Sequence, residues 1–204
     1  MTSDAAELSE AFLQVIVREF PRFRIVYKSQ SPWSKLIDLL LKIVTLGGQR
    51  AYLTHYFTVM GNTLYVPPTW DRLPDLDRVI LLRHERVHLR QRRRLTFLGM
   101  ALVYLLPILP LGLAYGRARL EWEAYTETLR ATAELKGWAA AADPQLRAEI
   151  VRRFYGPDYG WMWPFSGTVN RWYDAALVQI ASETGQPPAA PLPHPGQPSN
   201  AQQS

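Results

Sequence analysis

His84-Glu85-Arg86-Val87-His88 is an HExxH run, and it lies inside a segment that reads as one helix from about Asp75 to Arg94. Residues four apart on a helix share a face, so both imidazoles can reach one metal ion while Glu85 projects beside them toward a water. Those groups are the minimum for zinc-assisted hydrolysis. The plain alternative is two surface histidines on a basic helix that need no metal.

Catalytic zinc usually takes three protein ligands and keeps one position open, so a third ligand has to be found. The chain contains no cysteine, which leaves His, Asp or Glu. Leu89, Arg90 and Gln91 follow His88, so no HExxHxxGxxH extension supplies a third histidine. A strong helix is predicted from Arg117 to Lys136, stopped by Gly137, and it offers Glu121, Glu123, Glu127 and Glu134. Glu121 shares its face with Ala124, Tyr125, Thr128, Ala131 and Leu135, whereas Glu123 lines up with Arg119, Glu127, Arg130 and Glu134 on a face that reads as solvated. Glu121 is therefore the better inward carboxylate, and the small Ala124 lets this helix approach the HExxH helix.

His84-Glu85-x-x-His88 followed by Glu121-Trp122-Glu123-Ala124-Tyr125 resembles the gluzincin metallopeptidases, including ImmA/IrrE-like enzymes, in which a helix carrying a ligand Glu follows HExxH after a variable insertion. The resemblance covers residues 75 to 136. It implies His84, His88 and Glu121 as zinc ligands and Glu85 as general base, in an α+β, mainly helical, zincin-like domain with a small antiparallel sheet. The chain departs from the pattern at Tyr125, where related enzymes place an Asp beside the ligands.

The rest of the chain is read outward from this pair of helices. Ala5 to Phe20 has helical apolar spacing and ends at Pro21, and Phe23 to Tyr27 reads as a strand. Ser31-Pro32 opens a very apolar helix from Trp33 to Leu46, stopped by Gly47-Gly48. Tyr56 to Met60 and Thr63 to Val66 flank Gly61-Asn62, which predicts a β-hairpin closed by Pro67-Pro68. Beyond the Glu121 helix, a turn over Ala139 to Ala142 leads to a short helix from Gln145 to Phe154. An aromatic loop and a last helix from Thr168 to Thr184 follow. Residues 1–184 are expected to form one domain, with an apolar insertion at 96–116. Residues 185–204, rich in Pro and Gln and carrying His194, are expected to be a disordered tail.

Thr96 to Gly116 carries no charge, and by length it would be a transmembrane helix. One crossing of roughly 30 Å of hydrocarbon would put His88 and Glu121 on opposite sides of a bilayer, which one zinc ion excludes. Pro107 and Pro110 instead predict the tip of an out-and-back hairpin, each arm about ten residues and roughly 15 Å if helical. Tyr104, Tyr115 and the flanking arginines suit peripheral membrane association; burial against the helix of Leu36 to Leu46 is the alternative.

At 204 residues and 48% hydrophobic composition, the chain is large enough to bury a core of its own. Met1 to Glu10 lacks a basic region followed by an apolar run, so no secretory signal is read and a cytoplasmic location is expected. A net charge of +5 is concentrated at Arg83, Arg86, Arg90, Arg92, Arg93 and Arg94, without any nucleic-acid-binding signature, so no nucleic acid is expected.

The expected function is zinc-dependent hydrolysis of peptide bonds in a peptide or protein substrate, with Glu85 as general base. The substrate would be added along Thr58 to Val66 by strand pairing. Tyr125, Tyr155, Tyr159 and His55 are candidates for the oxyanion donor, and the catalytic set carried forward is Glu85 with Tyr125. The rival is a noncatalytic membrane-surface or protein-binding module built from the basic helix and the apolar hairpin.

Overall fold

The computed structural model describes residues 2–30, 57–105, 114–156 and 162–185. Helix α1 (Thr2–Glu19) turns Ile16 inward, and Phe20, directly after it, is buried on the same side. Strand β1 (Arg24–Tyr27) follows, then a 3-10 turn at Lys28–Gln30. The predicted helix from Trp33 to Leu46 lies outside the described residues. Strands β2 (Thr58–Met60) and β3 (Thr63–Val66) form the expected hairpin, with Gly61 at φ +66°, a left-handed backbone that glycine adopts without steric cost.

The sheet order is β1-β3-β2, and here the expectation of an antiparallel sheet is corrected. β2 pairs antiparallel with β3, but β1 pairs parallel with it, from Arg24 opposite Thr63 to Tyr27 opposite Val66. The sheet is therefore mixed. A two-residue turn dictates the antiparallel pair, whereas β1 and β3 are joined by a connection long enough to return the chain to the same end. Among the described strands β3 lies in the middle and pairs on both sides, so β2 (Thr58–Met60) is an edge strand of the expected Thr58 to Val66 stretch.

After a 3-10 turn at Pro68–Arg72, helix α2 (Asp75–Leu105) opens with Asp75 and Asp77 in its first turn, where carboxylates suit the helix dipole. It runs well past the expected end at Arg94. The change from charged to apolar residues there introduces no proline before Pro107, and the isolated Gly99 is tolerated, so helical hydrogen bonding continues. The tip of the expected hairpin, 106–113, is outside the described residues. Among the described residues no helix is long and apolar enough to cross a membrane.

Helix α3 (Tyr115–Lys136) ends at Gly137, whose φ of +92° is open to glycine. A short helix α4 (Trp138–Ala141) replaces the expected turn. Helix α5 (Pro144–Tyr155) is capped by Asp143, whose Oδ1 accepts from the Gln145 amide at 2.8 Å, with Pro144 at its first position. Helix α6 (Ser166–Thr184) ends the described chain.

Two apolar clusters hold these elements together. One joins Ile16, Phe20, Leu64, Val66 and Trp70 to Leu82 and Leu89 of α2. The other packs Trp122, Tyr125 and Leu129 of α3 on Ile150 and Phe154 of α5 and Tyr173 and Ile180 of α6. Helices α2 and α3 meet between the clusters and run antiparallel: Asp77 pairs with Lys136, Arg83 with Glu134 and Glu127, and Arg94 with Glu123. Rising numbers on one helix meet falling numbers on the other, and His84 and His88 lie within this seam.

Candidate metal centre

Helical spacing stacks His84 and His88 on the α2 face turned toward α3, with their Nε2 atoms 3.2 Å apart. From α3, Glu121 brings Oε2 to 3.6 Å from His88 Nε2. One donor atom from each of the three residues falls within 4.8 Å of the others, so the group could hold a metal ion. Ala124, fully buried, and Ala131 keep α3 thin along the seam. Of the two carboxylates weighed from the sequence, Glu121 is 4% exposed and faces the imidazoles. Glu123 instead accepts from Gln91 Nε2 at 3.0 Å, at the margin of the seam.

The outer ring nitrogens are both occupied. Thr128 Oγ1 lies 2.9 Å from His84 Nδ1 and 3.2 Å from the Ala124 carbonyl, so it shares a hydrogen bond with that imidazole whose direction follows the ring's tautomer. Gln91 Oε1 accepts from His88 Nδ1 at 2.9 Å. The neutral His88 ring therefore carries its proton on Nδ1 and directs the Nε2 lone pair into the centre. At 3.2 Å the two Nε2 atoms repel unless a proton or a cation lies between them. Nitrogen ligands on one tetrahedral zinc sit about 3.3 Å apart, close to the spacing of the two Nε2 atoms, and the three donors, within 4.8 Å of one another, would draw together around an ion.

Burial and the charges of His88 and Arg153 hold His84 well below the usual histidine range, against the weaker pull of the Ala124 carbonyl. His84 therefore stays neutral and able to donate a lone pair. Burial also opposes charge on His88, but Glu121 and Glu85 outweigh it and raise its pKa. A proton on His88 thus occupies the place a metal would take. Glu85, 5% exposed, is pushed up to about 7 by burial and by Glu121, against the charges of His88 and of the fully buried Lys28.

Tyr125 lies in the wall of the centre, its ring edge-on to His84 with centroids 4.9 Å apart, and its hydroxyl accepts from Arg153 at 3.1 Å. Tyr155 is exposed at the end of α5, while Tyr159 and His55 lie outside the described residues. Gln91, Thr128 and Lys28 were missed from the sequence. The spacing of Gln91 from His88, and of Thr128 from Glu121, was the available signal for the first two. Lys28, whose Nζ donates to Thr58 Oγ1 at 3.0 Å, gave none.

Most of the arginines in and just after the HExxH run are engaged within the chain. Arg86 and Arg90 bind Glu19 of α1, Arg92 binds Asn62 and Arg94 binds Glu123. No protein-family model matches the chain, and neither a curated protein nor a solved structure matches it.

Proposed function

We propose that the chain is a zinc-dependent metallopeptidase whose ion is held by His84, His88 and Glu121. The observation that carries this is the convergence of two imidazole Nε2 atoms and a buried carboxylate oxygen, beside a second buried carboxylate that does not belong to the triad. A purely structural histidine pair would more simply turn its lone pairs outward to donors. Zinc, when bound, supplies a Lewis acid that polarises the scissile carbonyl and acidifies a water. Glu85 takes that water's proton and passes it to the leaving amine. Thr128 and Gln91 orient the imidazoles. The outer edge of β2, which packs beside α2, aligns an extended peptide by backbone pairing.

Tyr125 is the proposed oxyanion donor. Its ring stands edge-on to His84, and the Arg153 guanidinium that donates to its hydroxyl would polarise the O–H. Tyr125→Phe is expected to keep zinc and lower kcat by about 10²–10³-fold; an unchanged kcat would reduce Tyr125 to a wall of the site. Glu85→Gln is expected to keep zinc and lose peptide hydrolysis, measured on an unfolded protein substrate. Full activity in that variant would remove Glu85 as the base. The paired arginines leave peripheral membrane association, and with it the noncatalytic alternative, resting on residues 96–116.

A further inference from the structure

We propose that Glu123 and the Leu120 carbonyl decide, through Gln91, which nitrogen of His88 faces the centre, making Gln91 and Glu123 positioning residues of the metal-binding group. This rests on the proposed metal site. Gln91 follows His88 by three residues on α2, one turn along the same face, and is 2% exposed, so its amide bonds only within the protein. Its Nε2 gives one proton to the Leu120 carbonyl at 2.8 Å and the other to Glu123 Oε2 at 3.0 Å. Its Oε1 is left to accept from His88 Nδ1 at 2.9 Å.

An amide can be turned over in place, exchanging oxygen for nitrogen with little change of shape. Here the turned form would set Oε1 against a carbonyl and a carboxylate, two acceptors at hydrogen-bond distance, without a proton between them. It would also aim NH2 at His88 Nδ1, which then has to accept, moving the imidazole proton to Nε2. A protonated Nε2 cannot bind a metal ion.

Glu121 works in the opposite sense. Its Oε2, 3.6 Å from His88 Nε2, is an acceptor that favours a proton on the inner nitrogen before any metal arrives. Gln91 counters this from the outer nitrogen, and Glu123 and Leu120 hold Gln91 in the only orientation that does so. Glu123 reaches this position because its helix presents it to the margin of the seam, where Arg94 Nη1 lies 3.5 Å from its other oxygen. At His84 the partner is the Thr128 hydroxyl, which can either donate or accept and so sets no tautomer by itself.

The test reads the tautomer directly, by long-range 1H–15N NMR of metal-free protein at a pH where His88 is neutral, and reads zinc affinity by competition with a chelator. Wild type is expected to show the Nδ1–H form. Gln91→Leu is expected to move the proton toward Nε2 and lower zinc affinity by about 10–100-fold. Glu123→Ala, a change at the margin that leaves the core intact, is expected to give a mixture of tautomers and a smaller loss. Glu123→Gln, whose amide oxygen still accepts from Gln91, is expected to restore both. Unchanged tautomer and affinity in Glu123→Ala would overturn the proposal. A tautomer that responds as expected in a wild type that takes up no zinc would uphold this lock and remove the metallopeptidase reading instead.

Discussion

Burial lifts the Glu85 carboxyl from 4.5 to about 7, so across that window the folded, metal-free chain holds a proton that the unfolded chain has released. Glu85's own contribution to the stability of the metal-free protein therefore falls as pH rises from 4.5 to 7, and is lowest where Glu85 is ionised in both states. The loss is on the order of 3 kcal/mol at most. Gln at this position cannot ionise, so Glu85→Gln is expected to stabilise the chelator-treated protein at pH 8 and much less at pH 5, measured by urea unfolding. Equal effects at both pH values would mean that Glu85 is not held in a low-dielectric site. His84 and His88 divide by the same forces: burial prevails at His84, while nearby carboxylates prevail at His88. One imidazole is thus ready to bind, and the other must give up a proton to do so.

Whether these residues meet depends on how closely α2 and α3 approach. The ion pairs of Arg83 with Glu127 and Glu134, and of Lys136 with Asp77, fix the axial register of the two helices, and a slip by one turn would set His88 beside a different residue. Their separation is set by small side chains, with Ala124 and Ala131 both fully buried. Ala124→Leu forces extra volume into that contact at a cost of about 1–3 kcal/mol. The expected result is a folded protein with a lowered Tm that binds zinc much more weakly although His84, His88 and Glu121 are all present. Unaltered zinc affinity in a folded Ala124→Leu variant would show that the helices do not need this separation. The arginines that follow His88 act at the same scale, tying α2 to α1 through Glu19 and to the hairpin turn through Asn62.

For the molecule as a whole, what could be read from the sequence is what local periodicity encodes. The HExxH helix, the Glu121 helix, the Gly61-Asn62 hairpin and the inward face of α3 all follow from spacing and turn chemistry, and the structure forms each of them. The parallel pairing of β1 with β3 was not legible, because a strand's partner is chosen by tertiary contacts rather than by its own alternation. The full length of α2 is not legible either, because the change in polarity after Arg94 is no boundary for the backbone, which stays helical to Leu105. Gln91 and Lys28 escaped for a related reason: a buried polar side chain has the same letter as a solvated one, and only the fold shows what it faces. The basic cluster looked like a surface for anionic partners, yet most of its guanidiniums are bound to carboxylates and amides brought in from elsewhere in the chain. All of this bears on function only if the three converging donors hold an ion. The most direct measurement is metal content by elemental analysis of wild type, Glu121→Gln and Glu123→Gln after dialysis against metal-free buffer. About one zinc per chain is expected in wild type and in Glu123→Gln, with loss in Glu121→Gln. A folded wild type that holds no zinc and takes up none when it is added would contradict the account.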